Sequence, residues 1–142
     1  MITKSMKTKL IYWLPPILWI CLIFLVSNRP AVRTTEIYLT DFILKKTAHL
    51  IEYAVLSVLL FRSLRNTTSF RLTQLIALAL ALTIFYSVTD EIHQTFVPSR
   101  EGRVRDVIID AVGASTALFF LTHLPLSPSW LRRTAKAWQL TS

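Results

Sequence analysis

The sequence predicts an all-α membrane protein, a four-transmembrane-helix bundle, and three observations carry that prediction. Hydrophobic residues make up 53% of the 142 positions. A soluble domain this short could not hide so much apolar surface, because small domains leave a large share of their area exposed. The apolar residues also fall into four blocks, near 10–27, 43–62, 72–92 and 104–124. Each block is close to the roughly 20 residues a helix needs to cross the hydrocarbon layer. Helices of that length pair every backbone amide internally, as lipid requires. Finally, the charges are sorted along the chain by the side of the membrane each loop would occupy.

The first block follows Lys4, Lys7 and Lys9, in the manner of a secretory signal, but no small-x-small cleavage site follows it in "VSNRPAVRTTEIYLTD". It is expected to remain as the first helix, with Pro15 and Pro16 in its first turns, where missing amide donors cost least. Cys21, the only cysteine, lies in this block, which excludes an intrachain disulfide and a cysteine metal site. Residues 1–124 then form the transmembrane domain and 125–142 a basic tail. In that tail "PSWLRRTAKAWQL" places Trp130, Leu131, Ala135, Trp138 and Leu140 among cations, as in a short amphipathic helix lying on the inner leaflet.

The formal charge of +8 comes from topology and does not call for a nucleic-acid partner. Lys4, Lys7, Lys9, Arg62, Arg65, Arg71, Arg132, Arg133 and Lys136 have no acidic neighbours. The positive-inside rule puts their three segments, and with them both termini, in the cytoplasm. The remaining cations, Arg29, Arg33, Lys45, Lys46, Arg100, Arg103 and Arg105, share the other side with every acid: Glu36, Asp41, Glu52, Asp90, Glu91, Glu101, Asp106 and Asp110. The bilayer is the expected partner on both sides.

The acids are also in register. In "KKTAHLIEYAVLSVLL" Lys46, His49, Glu52 and Tyr53 share one helix face, and Glu52 lies ~9 Å of axis below Lys46, at a depth where a lone charge is costly. In "RDVIIDAVGAS" Asp106, Asp110, Gly113 and Ala117 form one stripe that runs from carboxylates into a small-residue seam. In "TDEIHQTF" Asp90, His93 and Gln94 share a face, with Glu91 about 100° away. His93 is expected at the interface in contact with water. The connection "FVPSREGRVRD" should end the third helix at Pro98 and turn at Gly102. A plain surface loop and a loop that dips back to bring Arg100 to the acids both suit its composition.

These residues resemble the VanZ-like family of bacterial membrane proteins. The resemblance rests on a K-x-x-H-x-x-E-Y pattern at Lys46, His49, Glu52 and Tyr53. It rests also on a D-E-x-x-Q-x-F-x-P-x-R…D…G pattern at Asp90, Glu91, Gln94, Phe96, Pro98, Arg100, Asp106 and Gly113, and spans roughly residues 8 to 124. The sequence departs from the family at Asp110, usually asparagine there, and at Ala117, often glycine. The resemblance implies the bacterial cytoplasmic membrane and low-level tolerance of the glycopeptide teicoplanin.

Three functions fit the polar faces. The first is binding of a lipid headgroup or lipid-linked glycan of the cell-wall precursors by Lys46, Tyr53, Asp90, Glu91, Gln94, Arg100, Asp106 and Asp110. The second is metal-assisted hydrolysis or transfer on a phosphate-bearing outer-leaflet lipid. It would use His49 and Glu52 as acid and base, with a divalent metal cofactor held among His49, Glu52, Asp90, Asp106 and Asp110; imidazole with carboxylates suits Zn²⁺ or Mn²⁺. No nucleophile stands out, since Ser57 and Ser87 lack a telling context. The third is an ion network that only fixes helix packing.

Overall fold

The computed structural model describes residues 4–29, 38–123 and 129–140, and all of its regular elements are helices: α1 (Lys4–Ser27), α2 (Tyr38–Thr67), α3 (Leu72–Gln94), α4 (Val104–Thr122) and α5 (Ser129–Ala137). Arg33, Glu36 and the expected 124/125 domain boundary lie outside the described residues, as do the side chains of Lys4, Lys7, Asp41, Trp130, Leu131 and Arg132. The 30-residue α2 is the central element; it packs most extensively on α4 and then on α1 and α3, whereas α1 and α3 barely touch.

Each inward stripe grades from apolar to polar along its helix. On α3 the buried positions run Leu75, Ala79, Thr83, Ser87, Asp90, Glu91 and Gln94. On the antiparallel α4 they run the other way, from Asp106 and Asp110 through Gly113 and Ala114 to Leu118 and Leu121. The apolar halves meet α2 at Tyr53, Leu56, Leu60, Phe61 and Leu64, together with Ile23 of α1. The polar halves therefore stack at one end of the bundle. The outer surface is apolar, with Leu14, Leu18, Leu25, Phe85, Ile108, Val112, Phe119 and Phe120 exposed, as a surface facing lipid would be.

Among the described residues, three helices are long and apolar enough to cross a membrane: Lys9–Ser27, Phe42–Thr67 and Leu72–Gln94. The fourth expected span falls short by composition, because the 19-residue α4 carries Arg105, Asp106 and Asp110 in its first turns. Its two carboxylates are nonetheless buried against the other helices and not turned outward.

The prolines correct the sequence reading. Because α1 begins at Lys4, Pro15 and Pro16 lie in the helix interior. A proline at 16 leaves the Tyr12 carbonyl without its amide partner. Ser63 Oγ on α2 donates to that carbonyl at 2.6 Å, so a neighbouring helix satisfies the freed acceptor. At this same end Arg62 Nε donates to the Trp138 carbonyl at 2.8 Å and Asn66 Nδ2 to the Gln139 carbonyl at 3.2 Å, joining the segment after α5 to α2.

The connection between α3 and α4 also differs from expectation. Turn hydrogen bonds carry α3 on through Val97, and Ser99 takes the left-handed backbone, with φ at 63°. Gly102 does not have a positive φ. Its role is close approach, since a Cβ there would stand 2.1 Å from the Glu91 carbonyl oxygen. The loop thus folds onto the last turn of α3.

Candidate functional site

The site is assembled around four buried carboxylates at the polar end, Asp90, Glu91, Asp106 and Asp110. Asp106, on the first turn of α4, meets Lys46 of α2, with Nζ 2.5 Å from Oδ2, while Arg105 Nε lies 3.6 Å from Oδ1. Both cations lie against the Phe42 ring, at 5.8 Å for Lys46 and 4.9 Å for Arg105. They form the more exposed rim, and Asp106 sits behind them. One turn deeper, Asp110 accepts a hydrogen bond from Ser87 Oγ of α3 at 2.6 Å through Oδ2, while its Oδ1 lies 3.6 Å from His49 Nδ1.

Asp90 has a different environment. Its Oδ2 accepts from Ser27 Oγ at 3.0 Å, Tyr53 OH at 3.2 Å and Gln94 Nε2 at 2.9 Å, binding α1, α2 and α3 together through neutral donors. Tyr53 and Gln94, expected as ligand contacts, are thereby committed to holding Asp90. Glu91 points toward α4, and its Oε2 accepts from the Arg103 backbone amide at 2.9 Å.

Two expected members are placed otherwise. Arg100 is not delivered to the carboxylates as a hydrogen-bond partner; it donates to the carbonyls of Arg29 at 2.8 Å and Val26 at 3.1 Å, covering the end of α1. Main-chain acceptors freed where α1 stops compete for that guanidinium. Glu52 is half-buried within electrostatic reach of His49, Asp90, Asp110 and Arg100, yet among the described residues its carboxylate forms no hydrogen bond or ion pair. The counter-charge for Lys46 is Asp106. His93 lies beside Asn28, with Nε2 3.3 Å from Oδ1, and packs on the Phe24 ring, apart from this cluster.

Ser27, Ser87 and Arg105 belong to the site, though no motif pointed to them. Ser87 was findable: it precedes Glu91 by four residues and Gln94 by seven, on the inward stripe of α3. Ser27 gave no signal, since α1 has no other acid or amide on its inner face to mark a polar side.

The carboxylates are buried, with Asp90 3%, Glu91 5%, Asp106 4% and Asp110 1% exposed. Among the described residues, several buried polar atoms have no hydrogen-bond partner: His49 Nδ1, Asp90 Oδ1, Glu91 Oε1, Asp106 Oδ1 and Asp110 Oδ1. Buried polar groups normally have partners, so this concentration sets one end of the bundle apart from the rest. Among the described residues, His49, Glu91 and Asp110 each offer one ligand atom within 4.8 Å of the others, a spacing that could hold a metal ion. The sequence reading had named Glu52, Asp90 and Asp106 beside His49 and Asp110, without Glu91.

A helical membrane protein with a buried, charged interior at one end of its bundle is the class that fold and site define. The chain belongs to the VanZ/LLP1 family, whose model matches residues 11–125. No curated protein and no solved structure matches it.

Proposed function

We propose that this protein spans the bacterial cytoplasmic membrane four times, with both termini in the cytoplasm. Its polar end, at the outer leaflet, binds the phosphate-bearing headgroup of a lipid or lipid-linked cell-wall precursor. Family membership and the apolar helices support the membrane setting. The fourth span is supported by the inward burial of Asp106 and Asp110, which leaves Ile108, Val112, Phe119 and Phe120 on the outer face of α4. The orientation rests on the unbalanced cations at the opposite end of the bundle. In a Cys21→Ala background, a cysteine replacing Arg65 should resist impermeant thiol reagents in intact cells, and one replacing Glu101 should react. The reverse pattern would overturn the orientation.

The single observation that carries the binding reading is the set of buried, partnerless polar atoms behind a rim of two cations. Lys46 and Arg105 supply charge-assisted donors for a phosphate, and the carboxylates behind them favour an amine or a bound cation. Holding a precursor headgroup would alter access to it and so would give tolerance of a lipophilic glycopeptide without any turnover. Purified protein titrated with undecaprenyl phosphate should bind it, and Lys46→Gln combined with Arg105→Gln should weaken binding roughly tenfold or more, the worth of one charge-assisted hydrogen bond. Equal affinity of the wild type and the double variant would refute the rim's role.

A further inference from the structure

We propose that His49 Nδ1, Glu91 Oε1 and Asp110 Oδ1 bind a divalent transition-metal ion, Zn²⁺ or Mn²⁺, between α2, α3 and α4. The three residues come from three helices and each offers a ligand atom within 4.8 Å of the others; among the described residues these three atoms are buried and have no hydrogen-bond partner. At bond lengths of about 2.0–2.2 Å, two ligands of a tetrahedral ion are roughly 3.4 Å apart. Side-chain shifts of about 1 Å would therefore close the set.

The other oxygen of each carboxylate is already engaged. Asp110 Oδ2 accepts from Ser87 at 2.6 Å, and Glu91 Oε2 accepts from the Arg103 amide at 2.9 Å. Each carboxylate is thus held by one oxygen and presents its other to the centre, as outer-shell hydrogen bonds orient metal ligands. Gly102 is needed for this arrangement, because its close contact with the Glu91 carbonyl lets the loop bring the Arg103 amide to Glu91.

Charge points the same way. Two carboxylates this close and this buried repel each other, and burying charge without a counter-charge is costly. Lys46 and Arg105 are engaged by Asp106, so they do not offset this pair. A divalent cation with a neutral imidazole makes the site electrically neutral. Imidazole with two carboxylates favours Zn²⁺ or Mn²⁺ over Ca²⁺, which prefers all-oxygen sets. Three protein ligands leave coordination positions open on the ion for a phosphate oxygen or water.

Ion binding requires no lipid, so this proposal and the headgroup reading fail separately. Tag-free, full-length protein in detergent, stripped with EDTA and dialysed against Zn²⁺ or Mn²⁺, should retain about one ion per chain and melt at a higher temperature with the ion than without it. Glu91→Gln and Asp110→Asn, which keep side-chain shape, should lose both the ion and the melting shift; Glu101→Gln and His123→Gln should keep both. Ser87→Ala should weaken ion affinity by roughly 10–100-fold, as removal of an outer-shell partner does. X-ray absorption of the wild type loaded with Zn²⁺ should show one imidazole nitrogen and otherwise oxygen ligands, a readout that stands even where a variant fails to fold. Wild type without stoichiometric ion, or a Zn²⁺ site with two or more imidazoles, overturns the proposal. So does an ion that survives in folded Glu91→Gln and Asp110→Asn.

Discussion

Gly113→Leu should leave almost no folded protein in the membrane fraction, and Gly113→Ala should lower the melting temperature in detergent. A Cβ at this position would stand 2.4 Å from the Leu50 carbonyl oxygen and 3.1 Å from the Leu50 side chain. The nearer obstacle is backbone, so no rotamer change relieves it; α2 and α4 must move apart. Alanine gains about 1 kcal/mol of helix propensity over glycine, whereas overpacking a tight contact costs about 1–3 kcal/mol. Overpacking wins because α2 and α4 form the most extensive helix pair of the bundle. Separating them would also pull Lys46 from Asp106 and His49 from Asp110, so leucine at this position disrupts core and polar end together. Val112→Leu, on the exposed face one residue away, should alter neither abundance nor melting. Wild-type melting of Gly113→Ala would show that the seam is looser than its geometry indicates.

On the proposed function, His49→Asn should abolish glycopeptide tolerance, bringing susceptibility down to that of a strain lacking the protein, while abundance and the melting temperature of the ion-free protein stay near wild type. The imidazole Nδ1 has no hydrogen bond, and its nearest charged neighbour, Asp110 Oδ1, is 3.6 Å away. Little folding energy depends on it; any importance it has lies in what the site holds. Asp106 differs. It is buried and pairs with Lys46 at 2.5 Å, and breaking a buried pair costs about 3–5 kcal/mol. Part of that is recovered here, because Lys46 is partly exposed and reaches water. Asp106→Ala should therefore lower abundance and tolerance together. Membrane abundance, detergent melting and drug susceptibility measured on both variants separate the two roles. Full tolerance in His49→Asn, or loss only in proportion to abundance, would leave a packing network as the function of these charges.

The contrast between His49 and Glu52 shows where sequence reading stops. Both lie on the inward face of α2, and spacing alone put them on one stripe with Lys46 and Tyr53. Which acid faces Lys46 was not legible there, because helical spacing says nothing of the facing helix. Asp106 enters from α4 at the height of Lys46 and takes the pair. Glu91 was left out of the metal set for a related reason. It lies off the face shared by Asp90 and Gln94, which in an isolated helix would point it away. In the bundle α3 packs against α2 on one side and α4 on the other, so both faces meet protein.

By itself the sequence determined the helical class, the long apolar segments, the glycine-bearing seam of α4 and the gathering of acids at one end. These follow from period, length and charge, which act within one helix at a time. Tertiary structure alone decided which carboxylate faces which donor, because the rotation and depth of neighbouring helices are set by their closest approaches. Gly113 against Leu50, Gly102 against Glu91 and Ser63 against the carbonyl freed by Pro16 are such approaches. An ion pair or a ligand set needs atoms placed within about an ångström, and contacts between residues distant in sequence supply that placement.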